Sequence, residues 1–271
     1  MAEHGRHRYR YLSLPRKRSE RRADGPRGPY ARRMPAGRSA LCGSTRLVTF
    51  RSRAPEWLPK THFVMLMRDE KLARLQTSFD SENGILTIAE HDKVLLRERL
   101  TEPEGCRSVA EFLAEFLGDS VKRPLRVVAA PGHAFADARR KPNATTDKYV
   151  SLINRASIRA LEAAMEVSVD SLRFRANVYF DGAAPWSEHD WIESEITLGA
   201  ARLRVISPIT RCAATQVNPV TAKRDLDIVS TLERAFGHIN MGVYAEVVAG
   251  GEIAINDALE ISAFIEQSSS A

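Results

Sequence analysis

The sequence predicts a mainly β protein with a few helices (α+β), whose second half closes as a β-barrel. Three observations carry this prediction. Between residues 173 and 261, five segments of strand length alternate or run apolar: RFRANVYFDG, SEITLG, ARLRVISPI, GVYAEVVAGG and EIAINDALEI. One segment with helical spacing, LDIVSTLERAFG at 226–237, interrupts them. Gly, Pro, Asn and Asp punctuate the run at turn positions, and no solenoid-type repeat is present, so short strands with frequent turns point to a barrel.

Earlier elements follow the same logic. HFVMLMRDEKLARLQTSFD (62–80) reads as a buried strand and its continuation. GILTIAEHDKVLLRE (84–98) reads as a hairpin, with ILTI and VLLR flanking the turn-prone pair His91-Asp92. Ser108 and Glu111 have capping-box spacing and are expected to open a helix with Val109, Phe112, Leu113, Phe116 and Leu117 on one face and Gly118 as its stop. PLRVVAAP (124–131) is a short strand, and a second helix over 156–166 places Ile158, Leu161, Ala164 and Met165 on one side. Gly250-Gly251 reads as a hairpin turn rather than a phosphate loop.

Composition excludes several function classes. With 44% hydrophobic and 27% charged residues, the 271-residue chain can bury a sizeable core, and no apolar run is long enough for a membrane span or a secretory signal. No membrane partner is expected. The formal net charge of +6 is unevenly placed: residues 1–50 hold 13 Arg and Lys against 3 acids, leaving 27 against 31 in the rest. Nucleic acid is therefore not an expected partner, because the positive charge belongs to an Arg-, Pro- and Gly-rich stretch without strand or helix periodicity. Three cysteines (Cys42, Cys106, Cys212) without CxxC spacing argue against a disulfide framework and a structural zinc site, and place the chain in the reducing cytoplasm.

Cys212, within SPITRCAATQVNPVT, is the residue most able to carry chemistry. A small buried hydrophobe is the bland reading. Arg211 beside it and Arg175 on a predicted neighbouring strand favour a thiolate that binds a metal or an electrophile. Pro208 and Pro219 suggest a strand ending in an irregular loop at a barrel rim. The seven histidines show no metal-binding spacing and read as mostly solvated. Glu188, Asp190 and Glu193 around Trp191 read as a charged surface loop beside an anchoring Trp.

The ordered blocks RFRANVYFDG, PWSEHDW, TLGAARLRVISPITRCAATQVNPVT and FGHINMGVYAEVVAGGEIAINDALEI together resemble the MOSC domain, the C-terminal module of molybdenum cofactor sulfurases, also found in the mitochondrial amidoxime reducing component. The resemblance implies a molybdenum-pyranopterin cofactor with Cys212 as metal ligand and catalytic thiolate. Arg175, Asn177, Thr210 and Arg211 would bind the pterin and its phosphate, and Tyr244 would face the same site. It further implies reduction of N-hydroxylated small molecules with electrons from a separate flavin or iron-sulfur partner, since this chain has no ferredoxin-type cysteine spacing. No pyridoxal phosphate is expected. The alternative is a non-catalytic module that binds the cofactor or carries sulfur as a Cys212 persulfide.

Two departures qualify the match. The Tyr-Pro-Val-Lys and Asp-Arg stretches of the family's smaller N-terminal barrel do not occur in residues 1–50, and Asp147-Lys148 stand where the family has a Thr-Ser pair. The expected organisation is a disordered or mis-framed basic segment over 1–50 and the remnant of the smaller barrel over 51–123. The MOSC domain follows over 124–262, with a tail over 263–271.

Overall fold

A computed structural model describes residues 8–13, 32–33, 40–44, 60–80, 82–129 and 149–262. In chain order the first strands are β1 (Arg8–Ser13), β2 (Arg32–Arg33), β3 (Ala40–Ser44), β4 (Gln76–Asp80), β5 (Ile85–Glu90), β6 (Lys93–Arg99) and β7 (Leu125–Ala129). Then come β8 (Tyr149–Asn154), β9 (Val178–Asp181), β10 (Glu195–Leu198), β11 (Ala201–Thr210), β12 (Asn240–Ala249), β13 (Glu252–Ile253) and β14 (Ala258–Ser262). The helices are α1 (Pro103–Leu117), α2 (Arg155–Met165) and α3 (Ile228–Phe236). The mainly β, α+β class holds. The described residues fall into two compact units, and the boundary between them passes through the Arg211-Cys212 peptide.

The first unit is a closed barrel in the order β1-β14-β10-β11-β12-β8-β9, with β9 pairing back onto β1. Alternation builds its core. Along β11 Ala201, Leu203 and Val205 are buried while Arg202 and Arg204 are exposed, and Ile196 of β10 faces Leu203 on one side and Ile261 on the other. With Leu152, Val178, Phe180, Val243, Ala245 and Leu259 these side chains form one continuous cluster. Each large aliphatic contributes roughly 1.5–3 kcal/mol on burial. The helix α2 starts where the Asn154 side chain accepts from the Ala156 N–H at 3.0 Å, and α3 ends at Gly237 with φ of 73°.

Strand β1 completes this barrel through backbone ladder bonds, and its Arg8-Tyr9-Arg10-Tyr11 stretch alternates charged with aromatic residues. Strands β2 and β3 likewise pair with β13 and β7. The remaining residues of 1–50, and the Asp147-Lys148 pair, lie outside the described residues.

The second unit contains the β4-β5-β6 sheet, the β3-β7 pair and α1, whose Val109, Ala110, Leu113, Ala114 and Leu117 pack with Ile88, Val121 and Leu125. The hairpin turns at His91 and Asp92, both with positive φ (47° and 66°), as a two-residue turn matched to strand twist requires.

Four local expectations are corrected. Residues 62–80 are strand only from Gln76; the amides of Arg68 and Asp69 donate to the Met65 carbonyl and close turns inside the apolar run, and residues 70–74 form a 3-10 helix. The helix α1 opens five residues before Ser108, at Pro103, whose fixed φ suits the first helical position, so Ser108 lies in its interior. The 173–182 strand begins only at Val178, after a 3-10 turn. Gly250-Gly251 joins strands that do not pair with each other; a Cβ on Gly251 would stand 2.3 Å from the Ala200 backbone, so glycine is there for close approach.

Candidate functional site

Strand β11 arrives at its end through two irregularities, between Val205 and Ser207 and between Pro208 and Thr210. Pro208 lacks the N–H a regular ladder needs, so it sits beside such a bulge. Thr210 pairs with Asn240 and donates its hydroxyl to the Asn240 Oδ1 at 3.3 Å. The Arg211 N–H donates to the Ile239 carbonyl at 2.8 Å. Its guanidinium donates from Nε to the Met241 carbonyl (3.0 Å) and from Nη1 to the Phe174 carbonyl (3.2 Å), and lies 5.5 Å from the Phe174 ring centre. Arg211 thereby ties the start of β12 to the segment before β9.

That segment carries Arg175 and Asn177. Tyr179 anchors it, donating its hydroxyl to the Ser171 carbonyl (2.7 Å) and accepting from the Ala176 N–H (3.2 Å); burial pushes this phenol's pKa up. Arg175 is not on a strand, as expected from sequence, but in the loop, with φ of 48° and an exposed side chain. Asn177 accepts from both the Ser151 N–H and hydroxyl at 2.9 Å. Ser151 is the β8 partner of Tyr244, and Tyr244 in turn pairs with Ser207, so one cross-strand row brings Asn177 and Tyr244 together.

Cys212 belongs to the second unit. It is a free, half-buried thiol, neither a disulfide half nor a core filler. The Lys60 ammonium donates to its sulfur at 3.5 Å. Its carbonyl accepts from the Thr215 N–H and hydroxyl, each at 3.0 Å, which starts the 3-10 turn over Ala213–Gln216. Arg224 pins this turn, donating to the carbonyls of Ala213 (2.9 Å) and Met67 (2.8 Å) and pairing with Glu70 (3.3 Å). Pro219 lies in a turn where Asn218 Oδ1 accepts from the amides of Val220 and Thr221. Replacing Arg224 by Ala is expected to raise the alkylation rate of Cys212 by roughly fivefold, the effect of losing about 1 kcal/mol of net hydrogen bonding. Timed iodoacetamide labelling of the native protein checks this.

Two groups were misread in the sequence. Glu188 is not on a surface: it is fully buried, accepting from the Ser157 hydroxyl (2.9 and 3.1 Å) and the Asn154 amide (3.2 Å), while Ser157 Oγ accepts from the Trp186 N–H. Burial outweighs these bonds and raises its pKa above the ordinary 4.5. The folded state thus holds the proton more tightly than the unfolded chain, and the associated stability is lost as pH rises from about 4.5 through the raised value. Glu188→Gln presents the pattern of the protonated acid, so its thermal midpoint is expected to lack this decline above pH 4.5. Differential scanning calorimetry of both proteins across pH checks it. Among the histidines, read as mostly solvated, His189 and His238 have half-buried rings that stand 5.3 Å apart. Neither feature has a sequence signal, since their members lie 31 and 49 residues apart. No group of three or more metal-ligating side chains occurs among the described residues. Nor is any helix among them long and apolar enough to cross a membrane.

The MOSC domain family matches residues 132–260. The molybdenum cofactor sulfurase of Drosophila grimshawi is 31% identical over 142 residues, covering 50% of this chain and 17% of its own length. That of Bos taurus is 24% identical over 221 residues, covering 65% and 24%. The mitochondrial amidoxime-reducing component 1 of Xenopus laevis is 31% identical over 90 residues, covering 32% and 26%. The chain thus spans no more than about a quarter of these relatives' lengths. Among solved structures, YiiM from Geobacillus stearothermophilus aligns with a TM-score of 0.34 and 16% identity, over 42% of this chain and 53% of that one.

Proposed function

Since residues 132–260 form a MOSC domain, we propose that the chain binds a molybdenum-pyranopterin cofactor and reduces N-hydroxylated small molecules. The observation that carries this reading is Cys212: a free, half-buried thiol beside a lysine ammonium, on a turn held by Arg224. A soft sulfur ligand suits a metal already bound by sulfur. The residues fit the group unevenly. Asn177 and Thr210 stand at strand ends with polar side chains, Arg175 is exposed, and Tyr244 shares the Asn177 row. Arg211 directs its guanidinium to two carbonyls, so its part is to shape the cofactor-binding edge as well as to supply positive charge.

The chemistry such a cofactor supplies when bound is the two-electron reduction of an N–O bond, releasing the amine or amidine and water. The chain contributes the rest. Cys212 is the proposed metal ligand; Arg175, Asn177, Thr210, Arg211 and Tyr244 are proposed to bind the pterin and its phosphate. Electrons come from a separate flavin or iron-sulfur reductase. In this reading residues 51–123 are the remnant of the family's smaller barrel and 124–262 the cofactor-binding domain.

The half-exposure of Cys212 also supports a second reading, a persulfide carrier in molybdenum cofactor metabolism. Metal and pterin analysis of purified protein, followed by reduction of an N-hydroxylated amidine with a chemically reduced viologen, separates the two. Molybdenum with turnover supports the reductase. A metal-free protein carrying one extra sulfur on Cys212, seen by intact mass, supports the carrier.

A further inference from the structure

Four half-buried rings meet where the 187–191 turn reaches the junction of α3 and β12. Trp186 lies 4.6 Å from Phe236 and 5.0 Å from His238 by ring centres, and His189 meets His238 edge-on at 5.3 Å. Centres this close leave no gap for a guest between the rings, so the cluster is a clasp rather than a cage. Its polar connection leads to the barrel edge. His238 Nδ1 accepts from the Asn240 N–H at 3.2 Å, and Asn240 Oδ1 accepts from the Thr210 hydroxyl.

An imidazole accepts a hydrogen bond only while neutral. With Nδ1 serving as acceptor, the ring's proton sits on Nε2. A second proton turns Nδ1 into a donor aimed at another N–H, which leaves the Asn240 amide without its acceptor. It also places a charge in a half-buried aromatic cluster, beside a second imidazole.

We propose that His238 is a positioning residue for Thr210, acting through Asn240, and that a proton added to His238 Nδ1 releases this contact at the barrel edge. The proposal rests on the reading of Thr210 as a cofactor contact. The surroundings oppose charge on His189. His189 Nε2 is buried and makes no hydrogen bond, and burial first, then the adjacent His238, lower the His189 pKa, with Asp190 partly offsetting them. Among the other ionisable groups on the packed elements, Glu188 is turned onto Ser157 and Asn154, Arg234 donates to Thr231, and Glu233 is exposed. On α2, Arg155 and Arg159 face Asp181.

The test follows amide hydrogen exchange of Asn240 by NMR on the full chain, corrected for intrinsic rates, between about pH 7.5 and about pH 5.5, where histidine titrates. Wild type is expected to lose about tenfold protection at Asn240 on acidification. In His238→Asn the new side-chain oxygen accepts the same N–H without titrating, so protection should stay constant across the range. His238→Ala should be unprotected throughout. A wild-type amide that does not respond to pH, or a His238→Asn variant that responds as wild type does, overturns the proposal. Molybdenum retained on the same samples is measured in parallel. Protein without molybdenum at either pH defeats the cofactor reading, while the exchange data still decide the role of His238. Molybdenum fully retained at low pH with Asn240 open overturns the link to cofactor binding.

Discussion

Cys212→Ser is expected to remove essentially all molybdenum from the purified protein while leaving its thermal midpoint within a degree or two, about the effect of a surface substitution. A serine hydroxyl stays protonated near neutrality and is a harder, weaker donor than a thiolate, so the exchange removes the anionic soft ligand while changing little volume. The fold should tolerate it, because the sulfur is half-buried and its described hydrogen-bond partner is the Lys60 ammonium, which a hydroxyl can also receive. Cys106→Ser is the control: that thiol donates to the Leu100 carbonyl at the start of α1, and its loss should leave the metal content unchanged. Metal analysis of the three proteins decides. Equal molybdenum in wild type and Cys212→Ser would remove Cys212 from the site, and a wild type devoid of molybdenum would remove the cofactor.

Gly242→Ala should be the most damaging single methyl group in the barrel. Gly242 has φ of 75°, and a Cβ there would stand 2.3 Å from the Leu152 carbonyl oxygen and 2.6 Å from Ile153 Cγ1. Both neighbours are fully buried in β8, which is held to β12 by the Val243–Leu152 register, so neither can retreat without breaking the barrel. The left-handed backbone alone costs alanine about 1–2 kcal/mol. With the clash the total should reach about 3–5 kcal/mol, the range of exceptional substitutions and a large share of an ordinary domain's stability. Gly237→Ala isolates the backbone component: φ is 73°, but no atom lies within 4 Å of the added methyl, so about 1 kcal/mol is expected. Urea unfolding midpoints of the two variants measure the difference. Equal loss in both would contradict the close approach of β8 and β12.

What the sequence made legible is what short-range pattern controls. The strands β10, β11 and β12, the His91-Asp92 turn and the helices α2 and α3 follow from alternation, helical spacing and turn residues, because each is set by neighbours a few positions away. The ordered blocks around Arg175, Cys212 and Tyr244 resemble the MOSC domain for the same reason, and they lie within the 132–260 match to that family. The 62–75 segment did not follow, because an apolar run of that length fits strand or helical turn equally well until its carbonyls find partners.

Burial and pairing at long range were decided by the tertiary structure. Glu188 reads as a surface charge until β8 and α2 bring Asn154 and Ser157 to its carboxyl. His189 and His238 read as unrelated until the 187–191 turn closes on the α3–β12 junction. Arg211 shows no partner along the sequence until the carbonyls of Met241 and Phe174 accept from its guanidinium. In each case the partner is distant in sequence. The energy of a buried polar group depends on that partner rather than on its own neighbours along the chain.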